Sequence, residues 1–214
     1  MWFIKFLTSS IGKKIVMAVT GLCLVCFLLV HAAGNTTIFV GSEVFQAYAD
    51  TLHSHPVIVF FFRIGLLSLF LIHIGVGLTL WMEGRREGKN RYEVNTWVSK
   101  NAFAMSTMPY TGLFLLLFIL IHVFGFAVAP GHDDHISAVV DKALSNFFYA
   151  LFYLVAFVAL FIHLSHGFWS MLQTFGINHP RYNTLIGYAT YALPGFFMAF
   201  FSLITVYLLF SSSY

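Results

Sequence analysis

Apolar and polar positions alternate along this chain in long blocks rather than in short periods. Five apolar stretches stand out, at about 13–33, 57–82, 106–129, 145–172 and 185–210. Each reaches the ~20 residues that a helix needs to cross a bilayer. Between them lie short polar segments, with no run long enough for a further folded unit, so residues 1–214 read as one all-α membrane domain of five transmembrane helices. The start imitates a secretory leader, with Lys13 and Lys14 before an apolar run and then HAAG. Its sixteen apolar residues, 15–30, exceed the ~7–15 of a leader's apolar region, so a retained helix is expected.

Two stretches are near-copies. TGLCLVCFLLVH (20–31) and TGLFLLLFILIH (111–122) agree at seven of twelve positions, and both end on histidine. An ionisable residue inside a span is costly and marks a functional candidate. Spans one to four each hold one, at His31, His73, His122 and His163, and span four adds His166.

Composition supports lipid as the solvent: 59% of residues are hydrophobic, 9% charged, and mean hydropathy is +0.85. A net charge of +3, with no basic-aromatic patch, gives no reason to expect nucleic acid. Cys23 and Cys26 lie inside an apolar helix. Position 27 is Phe, so the CxxCH of covalent haem attachment is absent, and they read as small apolar residues.

Charge sets the expected orientation. Lys5, Lys13 and Lys14 precede span one; Arg85, Arg86, Lys89, Arg91 and Lys100 follow span two; Arg181 follows span four. The loops after spans one and three carry Lys142 against Glu43, Asp50, Asp133, Asp134 and Asp141. The N-terminus is therefore expected in the cytoplasm and the C-terminus outside. At 1.5 Å per residue His31 lies roughly 24 Å along its outward-going helix. His122 is also past the middle of an outward-going span, whereas His73 and His163 come late in inward-going spans. The four sort into an outer pair, His31 and His122, and an inner pair, His73 and His163.

Glycines sort with them. Gly34 and Gly125 follow the outer histidines at +3; Gly77 and Gly167 follow the inner ones at +4. Such neighbours share the histidine's face, so a flat ligand could lie against the backbone there. Thr20 and Thr111 precede His31 and His122 by eleven residues, about three turns, and face the same way. Two pairs of neutral imidazoles suit bis-histidine haem iron, each ring offering one nitrogen to iron and the other, in this apolar setting, to a backbone carbonyl. Packing histidines, or a haem-free transporter or assembly protein with a proton relay, are the alternatives. The relay would favour mid-span carboxylates, and none is seen.

SSIGKK (9–14), the two TG(x9)H stretches, HAAGN (31–35) and HLSHGFWSMLQTFGIN (163–178) together resemble the diheme cytochrome b membrane-anchor subunit of succinate dehydrogenase and fumarate reductase, the succinate:quinone oxidoreductases. The resemblance covers nearly the whole chain. It implies a five-helix bundle enclosing two b haems, with axial ligands at His31 and His122 for the outer haem and His73 and His163 for the inner. His166, one turn on, becomes a propionate or backbone partner. It implies a multi-pass protein of the cytoplasmic membrane that exchanges electrons with a quinone, menaquinone for this two-haem type. It also implies a flavoprotein with FAD and an iron–sulfur subunit as partners, and allows a dimer of the whole complex. The basic surface of Lys13, Lys14, Arg85, Arg86, Lys89 and Arg91 is the candidate docking face, with a topology signal alone as the alternative. The runner-up is the cytochrome b subunit of a hydrogenase or formate dehydrogenase.

Arg63, ten residues outward of His73, lies at the outer haem's depth and is expected either to meet a propionate or to snorkel to the interface. The family carries an acidic quinone residue near the start of helix two. The aligned position here is His53, with Glu43, Asp50 and His55 as alternatives. Residue 161 is Phe where some relatives carry a glutamate, which removes a carboxylate proton path there. His132 and His135 in PGHDDH are read as solvated loop residues, with metal binding as the alternative, and His179 as a structural or interfacial one.

Overall fold

The computed structural model describes residues 2–87, 102–128, 135–177 and 179–211. Among them the chain is helical throughout, with no strand. A short helix α1 (Trp2–Thr8) leads into α2 (Ser10–Asn35), a 3-10 turn (Thr36–Phe39) and α3 (Ser42–His53). Then come α4 (Pro56–Glu87), α5 (Ala102–Val123) with a π-turn at its end (Phe124–Val128), α6 (Ile136–Leu144), α7 (Phe147–Thr174) and α8 (Asn183–Ser211). Helices α2, α4, α5, α7 and α8 are long and apolar enough to cross a membrane, so this is a multi-pass membrane protein. α2, α4 and α8 overrun the predicted stretches at both ends, and α5 and α7 at one end each, because polar ends continue the backbone ladder; α4, for example, runs on through Arg85 and Arg86.

Local signals set the helix starts. The Ser9 side chain accepts from the Gly12 N–H at 3.1 Å and caps α2. The Asn146 Oδ1 accepts from Phe148 and Tyr149 N–H at 3.0 and 3.1 Å and caps α7. Gly12 is needed where α1 folds back, since a Cβ there would run into the Phe6 carbonyl. Gly41, at φ 142, turns the chain into α3. The segments after spans one and three, read from the sequence as loops, contain the short helices α3 and α6, which pack on each other; the Ser137 N–H donates to Gln46 Oε1 at 3.1 Å.

The bundle is uneven. α7 is its axis, packed against α2, α5 and α8. Val25, Tyr153, Phe157, Phe197, Phe201 and Leu208 form the core between α2, α7 and α8. With lipid as the competing solvent, close aromatic packing holds such a core together; Phe157 stacks on Phe201 at 5.6 Å. α4 differs: it leans on α2 and, among its described side chains, buries none. At one end Lys13 on α2 pairs with Glu83 on α4. That end also carries Lys14, Arg85 and Arg86; α3 and α6 sit at the other.

Candidate functional site

Four helices project histidines toward one another in two pairs. His31 of α2 meets His122 of α5, with ring centres 5.8 Å apart and planes at 83°. His73 of α4 meets His163 of α7, with centres 6.5 Å apart and planes at 60°. These are the pairs expected from depth. Two imidazoles on opposite sides of one metal, each bonded at about 2 Å, would hold their centres about 6 Å apart; rings packed directly on one another here have the same spacing, as His31 and Phe201 do at 5.8 Å.

The pairs lie at different levels. Thr20 of α2 is level with His73, to which it is bonded, and His31 stands eleven residues further on the same helix. That places the pairs roughly 16 Å apart along the bundle. Thr111 and His122 on α5 repeat the relation.

Hydroxyls partner three of the rings, and for His163 the expected backbone partner is present as well, at Met108. Thr20 Oγ1 lies 3.1 Å from His73 Nδ1, and Thr111 Oγ1 lies 3.3 Å from His163 Nδ1. The sequence pattern put the threonines on the face of the histidine in their own helix; they serve the histidine of the next one. His122 Nδ1 is 3.1 Å from the Tyr153 hydroxyl, itself 3.3 Å from the Tyr149 hydroxyl. Among the described residues the His31 ring makes no hydrogen bond; its neighbours are the rings of Phe27 and Phe201. Phe118 and Phe126 complete an aromatic wall around His122.

The expected glycines are covered by side chains rather than left as open backbone. Gly34 lies under the Tyr48 phenol, where a built Cβ would be 2.5 Å from its hydroxyl, and Gly125 under the Tyr149 hydroxyl. Gly77 and Gly167 face the methyl groups of Met17 and Met108. The glycines that touch histidine are Gly21 and Gly112: a Cβ at each would stand 3.5 Å from His73 Cε1 and 3.3 Å from His163 Cε1. A signal for them was present. Met17, Thr20 and Gly21 recur at identical spacing as Met108, Thr111 and Gly112.

Other expected residues fall around this centre. His166 is half-buried, with its buried Nδ1 unbonded to any described residue. Arg63 is exposed, without a hydrogen bond or ion pair among the described residues, and follows Phe62, which packs on Phe27 one turn before His31. Glu43 and Asp50 line an open surface pocket of about 330 Å³ with Gln46 and His135, where Gln46 Nε2 donates to Asp50 Oδ1 at 2.7 Å. His53 and His55 are exposed and lie outside that lining. Cys23 and Cys26 are exposed free thiols. His132, Asp133, Asp134, Lys89, Arg91 and Lys100 lie outside the described residues. The chain matches no family model, no curated protein and no solved structure.

Proposed function

We propose that this chain is the diheme cytochrome b anchor of a succinate:quinone oxidoreductase, working as a succinate dehydrogenase or fumarate reductase in the cytoplasmic membrane. One observation carries the reading: two histidine pairs with the spacing of bis-histidine ligation, set about 16 Å apart. That separation covers half of a hydrocarbon core ~30 Å thick. His31 and His122 hold the outer haem b; His73 and His163 hold the inner one. Haem b bound at each pair supplies a one-electron iron couple.

The chain's own residues do the rest. Thr20, Thr111 and Tyr153 orient three of the four imidazoles through the nitrogen away from iron. Phe27, Phe118, Phe126 and Phe201 exclude water from the outer pair. Arg63 and His166 are the candidate propionate partners, each with unused donor capacity among the described residues. The open pocket lined by Glu43 and Asp50, at the outer end, offers carboxylates to the protons of menaquinone or another quinone. At the basic end, Lys14, Arg85 and Arg86 face the iron–sulfur subunit, behind which the FAD-bearing flavoprotein handles the dicarboxylate.

The test is the dithionite-reduced minus oxidised spectrum of the purified chain, with copurification of its partners. Two b-type components and a copurifying flavoprotein that interconverts succinate and fumarate are expected. Absence of a b-type α-band sinks the haem reading. Hydrogenase or formate dehydrogenase subunits in place of the flavoprotein would keep the haems and overturn the enzyme.

A further inference from the structure

Resting on the haem reading, we propose that Thr20 and Thr111 are positioning residues of the inner pair: each fixes, from the preceding transmembrane helix, which ring nitrogen its histidine presents to iron. The argument turns on who donates. Thr20 Oγ1 lies 2.8 Å from the Val16 carbonyl and 3.2 Å from the Met17 carbonyl. A carbonyl only accepts, so the single hydroxyl proton of Thr20 is committed to its own helix. What remains toward His73, at 3.1 Å, is an oxygen lone pair. His73 Nδ1 must therefore be the donor. The ring carries its proton on Nδ1, and Nε2 is left bare as the ligating nitrogen.

The second copy repeats the threonine geometry, and there the His163 ring also hydrogen-bonds the Met108 backbone, which as a carbonyl again requires the ring to donate. Thr111 Oγ1 lies 3.0 Å from the Met108 carbonyl and 3.2 Å from the Thr107 carbonyl, and 3.3 Å from His163 Nδ1. The two contacts join residues 53 and 52 positions apart, so no within-helix rule produces them. In both, the next residue is a glycine beneath the ring's Cε1, which lets the imidazole lie close to the neighbouring helix. The outer pair is built otherwise: His122 bonds a phenol, and the His31 ring makes no hydrogen bond to a described residue. The threonine device belongs to the inner site alone. Groups that orient a metal-bound histidine typically matter 10–100-fold in affinity.

The test compares Thr20→Val and Thr111→Val, which keep shape and remove the hydroxyl, with Thr20→Ser and Thr111→Ser, which keep the hydroxyl. The full chain is used in membranes with its partner subunits. Haem b per chain and the midpoint potential of each haem are measured. Each valine variant should bind inner haem about 10-fold more weakly, or worse, and shift the inner midpoint. The outer midpoint should stay in place, and serine should restore the inner site. Valine variants with wild-type haem content and both midpoints unchanged would overturn the proposal. Equal damage in the valine and serine variants would overturn it too, since packing and not the hydroxyl would then be at work. His73→Ala, run alongside, separates the two levels. If it keeps both haems, the histidine assignment falls and the proposal with it. If it loses one haem while the valine variants behave as wild type, the threonine role alone falls.

Discussion

Gly21 and Gly112 look equivalent in the sequence, yet replacing each by alanine should have different consequences. A methyl at Gly21 would meet His73 Cε1 at 3.5 Å, an ordinary van der Waals contact. At Gly112 the methyl would meet His163 Cε1 at 3.3 Å, so the ring must retreat by a few tenths of an ångström. It has little freedom to do so. Its bond to Thr111 is already 3.3 Å long, and at ~3.6 Å a hydrogen bond no longer counts as one. Overpacking of this kind costs about 1–3 kcal/mol. At tenfold per 1.4 kcal/mol, that is a loss of inner-haem affinity of roughly 5- to 150-fold. Helix propensity works the other way, since Gly→Ala within a helix gains up to about 1 kcal/mol. Gly112→Ala should therefore lose inner haem without losing thermal stability of the haem-free chain. Gly21→Ala should keep its haem. The assay is haem titration into purified variants followed by reduced-minus-oxidised spectra, with thermal unfolding in parallel. A Gly112→Ala chain that binds two haems with wild-type affinity would refute the reasoning, as would a Gly21→Ala chain more damaged than Gly112→Ala.

His122→Ala should remove one of two haem signals and leave the other's midpoint in place; retention of both in a redox titration would remove His122 from the ligand set. Tyr153→Phe keeps the buried ring but strips His122 Nδ1 of its partner. The unmet nitrogen should cost about 1–3 kcal/mol, read as weaker outer-haem binding with the inner haem unaffected. Asn146→Ala removes the acceptor that caps α7 and should lower stability by about 1 kcal/mol in denaturant titration while leaving both haem spectra unchanged.

The five long helices were legible because each is a long, predominantly apolar run, which length and composition alone reveal. The two histidine pairs were legible because depth follows from residue count along each span. The hydroxyl partners were not. Thr20 and His73, or His122 and Tyr153, meet across helices, and rotation of one helix against another leaves no trace in either one's pattern. The same limit explains the glycines. The count along one helix brings Gly34 near His31, but only packing of α3 shows that the Tyr48 phenol covers it. α3 and α6 escaped notice as helices because runs of twelve and nine residues carry too few turns to stand out from a polar connection.

The threonine contacts have a further meaning for biosynthesis. Each joins two transmembrane helices that follow one another in the chain, α2 to α4 and α5 to α7. Each histidine pair joins different hairpins: His31 with His122, and His73 with His163. Once α2 and α4 have left the ribosome, His73 can already be turned by Thr20, before α5 has emerged. The second hairpin arrives with His163 set in the same manner by Thr111. Insertion thus delivers two pre-aimed halves, and the docking of α7 on α2 is the event that brings together a histidine pair at either depth.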